Sequence, residues 1–302
     1  MCERYSSKNR HYSKMDSEGV LILKGPKDLN NVKPLRGLLK NPPEFNNPEG
    51  PLTLGGFGAL AIPSSFHHPD IRFIRQIVYD HVKPTLRKLF NHTHLELLFD
   101  RVSVRRIGTS TSPESWHRDV CPDALPDDII LGGWINLDPD GSPNQKFSCS
   151  PGTHRDTPND RTGFAKTKET PTHKRIYEVP SGHMILFHQN LLHEVKAQKA
   201  TFESHRLYLG WRLTNSDRPL FDHSKIIETQ GVPKIPSGQI PPMYAKLHWV
   251  NHRHMIEEIS QRIKPEYLDP KTGMVLRELP PLDKYYPDYT EDDKRILTPQ
   301  PF

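Results

Sequence analysis

The chain has 302 residues, of which 34% are hydrophobic and 30 are prolines, and its mean hydropathy is −0.69. This composition favours strands and loops over long helices, within one large domain or two small ones. The 41 Lys and Arg residues exceed the 36 Asp and Glu residues by five, and both signs are interspersed along the chain. We therefore expect a mild attraction for anionic substrates, and the charge pattern argues against a nucleic-acid partner.

Cysteine usage and the N-terminal segment bear on the cellular location. The three cysteines, Cys2, Cys121 and Cys149, are an odd number without paired spacing, which argues against a disulfide framework. Residues 1–18 are polar and lack the apolar core of a signal peptide. No run of 18 apolar residues occurs, so we expect no membrane-spanning segment. An intracellular, cytoplasmic protein is the expectation.

The first predicted elements are one strand and one helix. After the polar lead-in of residues 1–18, a short apolar run between two glycines at 19–25 predicts a strand. Residues 26–66 are rich in Pro, Asn and Gly and are expected to be irregular. Apolar residues at helical spacing predict a helix over 70–90, which Pro84 is expected to kink or split.

A series of strand-like segments follows this helix, each bounded by turn residues. They cover 97–107, 129–137, 146–149, 175–179, 183–188, 192–197 and 206–214. Short strands at this spacing predict an all-β sandwich or barrel. A second helix is predicted at 252–263, and residues 265–302 form a proline-rich tail. The absence of repeats and of a second apolar core favours a single domain over residues 19–264.

The tripeptide His-x-Asp occurs three times, beginning at His68, His117 and His154. Because side chains alternate along a strand, His-x-Asp in a strand places an imidazole and a carboxylate on the same face. With a second histidine from another strand, this pair completes the two-His, one-carboxylate site of non-haem iron oxygenases. Each copy is therefore a candidate for half of a metal site.

The surroundings distinguish the three copies. In the first, Asp70 stands where the predicted helix begins, a position at which a carboxylate caps backbone amides. The third copy lies in "PGTHRDTPND", a loop sequence with no strand to align His154 with Asp156. The second copy, "WHRDV", is followed shortly by the strand predicted at 129–137.

The third ligand should come from a distant strand. His193 lies 74 residues after Asp119 and opens the predicted strand 192–197. The rival is His188, but its alternation with Met184 and Leu186 is typical of an ordinary strand residue. From the residues alone, two interpretations stay open, namely a metal site of His117, Asp119 and His193 or three unrelated polar residues.

Four segments, in their order and spacing, resemble the phytanoyl-CoA dioxygenase-like family of Fe(II)- and 2-oxoglutarate-dependent oxygenases. They are "WHRD", "CSPGTHRD", "PSGHMILFHQNLLHEV" and "HRLYLGWRLT". The resemblance covers roughly residues 19–214. It implies a mainly β fold with flanking helices, the double-stranded β-helix or cupin-like jelly roll. It also implies that Fe(II), 2-oxoglutarate and O₂ serve to hydroxylate a substrate, with release of succinate and CO₂.

The resemblance assigns His117, Asp119 and His193 as the iron ligands. It also implies an arginine that grips the far carboxylate of 2-oxoglutarate, for which Arg206 and Arg212 are candidates. Both would lie on one side of one strand but about 20 Å apart, so they cannot share the role. Arg206 is favoured because the family places this arginine near the start of the last strand. Arg212 is expected to be a charge at the rim, on a side that could meet substrate.

Other residues take secondary roles under this resemblance. His154 is expected to shape its loop or the substrate entrance. Tyr208 would hydrogen-bond the co-substrate, and Trp134 and Asn136 would line its pocket, with core packing of Trp134 as an equal alternative. Cys121 and Cys149 are interpreted as small core residues.

Some alternatives concern function and a second metal. A non-catalytic jelly-roll protein with a structural or partner-binding role is the rival function, since this fold hosts many functions. The segment "HWVNHRH" could form a zinc site from His248, His252 and His254, but surface histidines are the favoured interpretation. The substrate, a small molecule or a macromolecule, and the oligomeric state are not indicated by the sequence.

Overall fold

A computed structural model gives the architecture of this chain. It describes residues 14–27, 29, 53–54, 59–61, 69–105, 107–108, 114–121, 124–156, 164–166, 171, 173–196, 199–220, 288 and 290–302. The helix expected at 252–263 and the three histidines of "HWVNHRH" lie outside these residues. None of the helices in the described part of the chain is both long enough and apolar enough to cross a lipid bilayer.

The long helix α1 covers Pro69–Leu89 and is amphipathic. Ile74, Val78, Val82 and Leu86 recur at helical spacing and are fully buried against the sheet. The helix continues through Pro84, so the expectation that this residue splits it is wrong. Pro84 is exposed, and a backbone carbonyl that loses its helical partner on an exposed face can bond to water instead.

The described part of the chain contains thirteen strands. Their bounds are β1 Val20–Lys24, β2 Thr53–Leu54, β3 Ala59–Ala61, β4 His94–Arg105, β5 Glu114–Asp119, β6 Ile129–Asn136, β7 Gln145–Cys149, β8 Phe164–Lys166, β9 Arg175–Val179, β10 His183–His188, β11 His193–Val195, β12 Ser204–Thr214 and β13 Gln300–Pro301. All of the strands expected from the sequence are present, to within a few residues at their ends.

These strands form two antiparallel sheets. The larger sheet has the order β1-β10-β6-β12-β4-β3-β2, and β13 pairs with the same edge of β4 as β3 does. The smaller sheet has the order β8-β5-β11-β7-β9. Along the chain, β4 and β6 of the larger sheet are separated by β5 of the smaller one, β6 and β10 by β7 to β9, and β10 and β12 by β11. Two interleaved sets of four strands are the jelly-roll arrangement, which confirms the double-stranded β-helix predicted above.

Alternation along the strands places neighbouring side chains in different clusters of the core. In β10, Met184 and Leu186 belong to the cluster that packs with α1 on the outer face of the larger sheet. Ile185 and Phe187 belong instead to a second cluster, around Trp134, which lies between the two sheets. Because both faces of β10 are covered by other side chains, the four residues from Met184 to Phe187 are all apolar. Side chains on the inner face of either sheet therefore point into one shared interior.

Strand β5 was not expected from the sequence. Its residues "ESWHRD" lack the alternation of apolar and polar side chains that predicts a strand. It pairs with β11 on one side and β8 on the other, so backbone hydrogen bonding, rather than apolar burial, identifies it as a strand. The expectation that His117 and Asp119 merely lie close to a following strand is corrected here, because they are themselves part of one.

The C-terminal residues pack onto the domain. The short helix α2, Glu291–Arg295, begins with a capping box in which Thr290 and Asp293 exchange hydrogen bonds. After it, Ile296 and Leu297 are buried in the same cluster as α1, and β13 adds to the larger sheet. At this end of the proline-rich tail, side chains therefore contribute to the core.

Candidate metal centre

His117, Asp119 and His193 lie on neighbouring strands of the smaller sheet. His117 of β5 and His193 of β11 are directly paired across the two strands, and their ring centroids are 4.1 Å apart. Asp119 is two residues beyond His117 and therefore shares its face of the sheet. The local strand pairing thus brings His193 next to His117 and to Asp119, which precedes it by 74 residues in sequence.

The three side chains meet at one point. The Nε2 atom of His117 lies 3.7 Å from Oδ1 of Asp119, and the Nε2 atom of His193 lies 3.4 Å from Oδ2. The ligand atoms all lie within 4.8 Å of one another, and in the described part of the chain this is the one group of its kind. Two imidazole nitrogens and one carboxylate are the donor set of a facial triad. The geometry therefore favours the metal site over three unrelated polar residues.

The exposure of these side chains shows from which side a metal ion would enter the site from solvent. The side chains of His117 and His193 are 2% and 7% exposed, whereas that of Asp119 is 20% exposed. The two imidazoles are thus buried, and solvent reaches the three candidate ligands from the side of the Asp119 carboxylate.

The orientation of His193 is set by its own backbone neighbourhood. Its Nδ1 atom lies 2.9 Å from the carbonyl oxygen of Leu191. This carbonyl accepts a hydrogen bond from the Nδ1–H group, so the lone pair of the ring lies on Nε2, the atom that faces Asp119. The rings of Phe147 and Phe187 flank His193 at centroid distances of 5.6 and 5.0 Å and restrict its rotation.

Asp119 is fixed through its backbone and through the turn that precedes β11. The Asp119 amide donates to the Gln189 carbonyl at 2.9 Å. The side-chain oxygen of Gln189 in turn accepts from the Cys121 amide at 2.5 Å. Gln189 was not identified from the sequence, where it is one polar residue in a polar turn.

Arg206 lies on β12, on the inner face of the opposite sheet, and only 9% of it is exposed. Its guanidinium carbon lies 4.2 Å from the centroid of Trp134, and one nitrogen donates to the Tyr208 hydroxyl at 3.2 Å. The Arg206 Nε donates to Oε1 of Gln145 at 2.5 Å. Burial lowers the pKa of this guanidinium from its ordinary value, with the nearby Tyr208 acting in the opposite direction. An arginine nevertheless stays protonated in a protein, so a positive charge stands in the interior.

A buried amide network holds this arginine. The Nε2 atom of Gln145 donates to Oδ1 of Asn136 at 2.9 Å and to Oδ2 of Asp138 at 2.7 Å. Asn136 donates to the carbonyl of Val179 at 2.9 Å and is fully buried. The side chain of Asn136 thus forms its hydrogen bonds within the protein. It holds Gln145 in place, and Gln145 in turn holds Arg206.

Gln145 is the residue of this network that the sequence analysis missed. Its signal was present, because Gln145 alternates with Phe147 and Cys149 along β7 and therefore shares their inward face. All three are buried. The alternation could not predict the hydrogen-bond partner of Gln145, since Arg206 is 61 residues away in sequence.

Aromatic rings connect the arginine with the three candidate ligands. Trp134 packs edge-on against Phe147 at 5.4 Å and against Phe187 at 6.5 Å, and these two rings flank His193. Tyr208 lies 6.1 Å from Trp134. Trp134 therefore both packs in the core and contacts Arg206, so the two roles considered for it are compatible.

Arg212 is not a charge at the rim, and that expectation is corrected here. Its side chain is 2% exposed, and its guanidinium pairs with Asp128 at 2.6 Å and with Glu96 at 2.9 Å. It also donates to the carbonyl of Arg218 at 3.0 Å. Because this donor group is filled by partners within the chain, Arg212 stabilises the far end of β12.

His154 and His188 contact each other. Their ring centroids are 5.6 Å apart, and the Nδ1 atom of His188 accepts from the Asn190 amide. A Cβ at Gly19, which has φ +74°, would collide with His154. Burial lowers the pKa of His154, and burial together with the charge of His154 lowers that of His188 to about 4. Neither histidine belongs to the group of ligand atoms around Asp119.

The remaining candidates have simple outcomes. Cys121 and Cys149 are buried thiols, which confirms their interpretation as core residues. Burial, together with the negative charge of Glu18, raises the pKa of Cys149 to about 12, so this thiol stays protonated at neutral pH. For the first His-x-Asp copy, the helix begins at Pro69, as expected, and His68 lies outside the described residues.

Comparisons with known proteins support the fold. No protein-family model and no curated protein sequence matches the chain. Among solved structures, EctD from S. alaskensis with 2-oxoglutarate and 5-hydroxyectoine is 17% identical, with a TM-score of 0.50 over 69% of this chain and 77% of that chain. The non-heme alpha ketoglutarate dependent carbocyclase SnoK from nogalamycin biosynthesis is 13% identical, with a TM-score of 0.47 over 68% and 86%. EvdO2 from Micromonospora carbonacea var. aurantiaca is 16% identical, with a TM-score of 0.44 over 68% and 90%. At these identities the likeness to EctD establishes a shared double-stranded β-helix fold.

Proposed function

We propose that this chain is an Fe(II)- and 2-oxoglutarate-dependent dioxygenase that hydroxylates its substrate and releases succinate and CO₂. The observation that carries the proposal is the grouping of His117, Asp119 and His193 on one face of the smaller sheet. A buried arginine, Arg206, points into the same interior from the opposite sheet.

The residues present fit a resident Fe(II) ion. His117, Asp119 and His193 would hold it, because two neutral imidazoles and one carboxylate suit a divalent iron and leave coordination positions open. When bound, the ion supplies the activation of O₂ that couples decarboxylation of 2-oxoglutarate to oxidation of a substrate C–H bond. The Leu191 carbonyl keeps the His193 ring in the tautomer that such a ligand requires.

Arg206 would hold the far carboxylate of 2-oxoglutarate. A planar guanidinium can bind a carboxylate through two charge-assisted hydrogen bonds, which are stronger in a buried site than in water. Gln145 and the ring of Trp134 fix its position before any ligand arrives, so little conformational entropy is lost on binding. Tyr208 donates or accepts a hydrogen bond at the same place.

The apolar rings between the arginine and the triad would exclude water. Trp134, Phe147 and Phe187 form a continuous aromatic surface next to His193. Excluding water protects reactive species from side reactions and strengthens the electrostatic contacts of the site. The aromatic surface would exclude water from the site, and Arg206 would bind the co-substrate.

The comparisons support this proposal at the level of the fold. The structure of EctD, whose fold the chain shares, contains 2-oxoglutarate. The narrower assignment to the phytanoyl-CoA dioxygenase-like family depends on the sequence motifs alone. We propose an anionic small molecule as the substrate, in keeping with the formal net charge of +5.

Anaerobic titration tests the proposal directly. Addition of Fe(II) and then 2-oxoglutarate to the purified chain should produce a visible charge-transfer absorption band, and aerobic incubation should release succinate slowly without added substrate. His117→Ala should show neither signal. His173→Ala, which removes an exposed histidine that is not among the candidate ligands, should show both. A chain with no band and no succinate would instead be the non-catalytic jelly-roll protein that is the rival interpretation.

A further inference from the structure

Arg118 lies between the two candidate ligands of β5, and its side chain points away from them. Because side chains alternate along a strand, His117 and Asp119 face the interior while Arg118 faces the other side of the smaller sheet. Arg118 is nevertheless buried, with 4% of its side chain exposed. Its Nη1 atom donates to the carbonyl of Thr153 at 2.6 Å and also to the carbonyl of Asn190.

Both carbonyls belong to segments that hold the third ligand. Asn190 precedes His193 by three residues, in the turn that leads into β11. The hydroxyl of Thr153 accepts from the Leu192 amide at 3.0 Å and donates to the Ser150 carbonyl at 2.7 Å. The Ser150 amide donates in turn to the Leu192 carbonyl at 2.8 Å. The loop 150–155 therefore fixes the residue immediately before His193.

Strand β5 holds the same turn from its other side. The Asp119 amide donates to the Gln189 carbonyl at 2.9 Å, one residue before the carbonyl that Arg118 contacts. The turn 189–192 is thus held between β5 and the loop 150–155. The guanidinium of Arg118 contacts both the turn and the loop, and its own backbone carries the two ligands of β5.

We propose that Arg118 is a positioning residue that sets the placement of His193 relative to His117 and Asp119. This inference rests on the proposed metal centre. Arg118 faces away from the ligand atoms, and it acts by holding the carbonyls of Asn190 and Thr153 at a fixed separation from β5. A buried cation that bonds two carbonyls resists displacement, because its loss would leave both oxygens without that donor.

The third His-x-Asp copy, His154 to Asp156, provides a matched control. Asp156 lies 3.5 Å from Nη2 of Arg118, but its side chain is 58% exposed. An ion pair with an exposed partner contributes little, since water screens the attraction. The loop copy therefore contacts the metal-binding copy through Arg118 without supplying a ligand, and removing its carboxylate should leave the placement of His193 unchanged.

Calorimetric titration of the metal-free chain with Mn(II) alone tests this role. Arg118→Ala should weaken Mn(II) binding by about tenfold or more, which is the usual effect of removing a residue that orients a ligand. Arg118→Lys should lie between this variant and the unaltered chain, because one ammonium group cannot reproduce the planar contact with two carbonyls. Asp156→Ala should stay within about twofold of the unaltered affinity.

Two further measurements separate positioning from general stability. The rise in Tm on addition of Mn(II) should shrink in Arg118→Ala, whereas a merely structural role would lower the Tm of metal-free and metal-loaded protein equally. Amide hydrogen exchange of the metal-free chain should become faster in peptides covering 189–195. Should Arg118→Ala fail to fold, Arg118→Lys and Thr153→Val carry the test, since the valine removes the acceptor of the Leu192 amide.

The outcomes are distinguishable from failure of the proposed function. Absence of Mn(II) binding by the unaltered chain would contradict the metal centre itself. Binding by the unaltered chain, with the same affinity in folded Arg118→Ala or in both replacement variants, would overturn the positioning role alone. Weakened binding in these variants with unchanged binding in Asp156→Ala supports it.

Discussion

The guanidinium of Arg206 lies over the indole ring of Trp134, at 4.2 Å from the ring centroid. Six residues further along the same strand, Arg212 pairs instead with two buried carboxylates. Two arginines that look equivalent in sequence therefore have different partners, a neutral aromatic surface for one and two negative charges for the other. This difference leads to opposite expectations for their removal.

Arg206→Ala is expected to weaken 2-oxoglutarate binding and to leave metal binding unchanged. Loss of two charge-assisted hydrogen bonds, each contributing about 1.5–3 kcal/mol, corresponds to a reduction of roughly 100-fold or more in affinity. Titration of 2-oxoglutarate into the Mn(II)-loaded protein measures the loss, and Mn(II) titration alone is the control. An unchanged 2-oxoglutarate affinity in this variant would exclude Arg206 as the anchor.

Arg212→Ala is expected to act on stability instead. Removing the cation leaves Glu96 and Asp128 as buried carboxylates without their guanidinium partner, which costs about 3–5 kcal/mol. Urea unfolding followed by circular dichroism should show the decrease in the free energy of unfolding. The folded fraction should keep its affinity for 2-oxoglutarate, and a loss of that affinity in fully folded Arg212→Ala would contradict the structural role.

Asp119→Ala is expected to abolish metal binding, because the variant removes the one carboxylate among the three candidate ligands. Asp156→Ala, in the other "HRD" sequence, should retain it. Equilibrium dialysis against Fe(II) under anaerobic conditions, with metal analysis of the retained protein, compares the two variants. Equal metal content in both would show that Asp119 is not a ligand.

Acidification is expected to destabilise the fold through His188. The folded pKa is about 4, below the ordinary value of 6.5, so between these pH values the unfolded chain binds a proton that the folded chain does not. The contribution of His188 to the free energy of unfolding is therefore fully present above pH 6.5. It is lost as the pH falls toward 4, by about 3 kcal/mol in total. The pKa of His154 is lowered in the same direction.

The pH dependence can be measured by urea unfolding at intervals between pH 7.5 and 4.5. His188→Gln should flatten the profile, with a residual slope from His154. His173→Gln, which replaces an exposed histidine, should leave the profile as it is. A steep profile that survives in His188→Gln would assign the acid sensitivity to other groups.

Gly133→Ala is expected to destabilise the larger sheet severely. A Cβ at this position would overlap the backbone carbonyl of Ile185 on β10, so β6 and β10 would have to move apart. We expect a loss of about 3 kcal/mol or more in the free energy of unfolding, measured with urea. Gly141→Ala is the comparison, since φ is +86° there but the space is open, and it should cost about 1 kcal/mol.

The sequence predicted most of the fold because most strands bury apolar side chains. β6 and β10 are almost continuously apolar, β12 carries apolar side chains at alternate positions from Leu207 to Leu213, and each was recognised within a few residues of its bounds. β5 was missed because of the side chains that it carries. Its inward face carries His117 and Asp119 and its outward face carries Arg118, so neither face shows the apolar pattern on which such predictions depend.

The candidate site was predictable only in part. His117, Asp119 and His193 follow from a local pattern and a resemblance, whereas Gln145 depends on a contact between β7 and β12 that no local pattern encodes. The error at Arg212 has the same origin. Its partners Glu96 and Asp128 lie on other segments, and a surface position is the ordinary expectation for an arginine whose partners are unknown.

The pairing of Gln300 with Leu95 joins residues roughly 200 positions apart. Ile296 and Leu297 complete the apolar cluster under α1 from the same distance. A chain emerging from the ribosome in sequence order would therefore hold α1 and β4 with part of their apolar surface uncovered until residue 302 has been synthesised. Contacts over such separations form slowly, and exposed strand edges favour aggregation, so the incomplete chain is expected to aggregate more readily than the complete one.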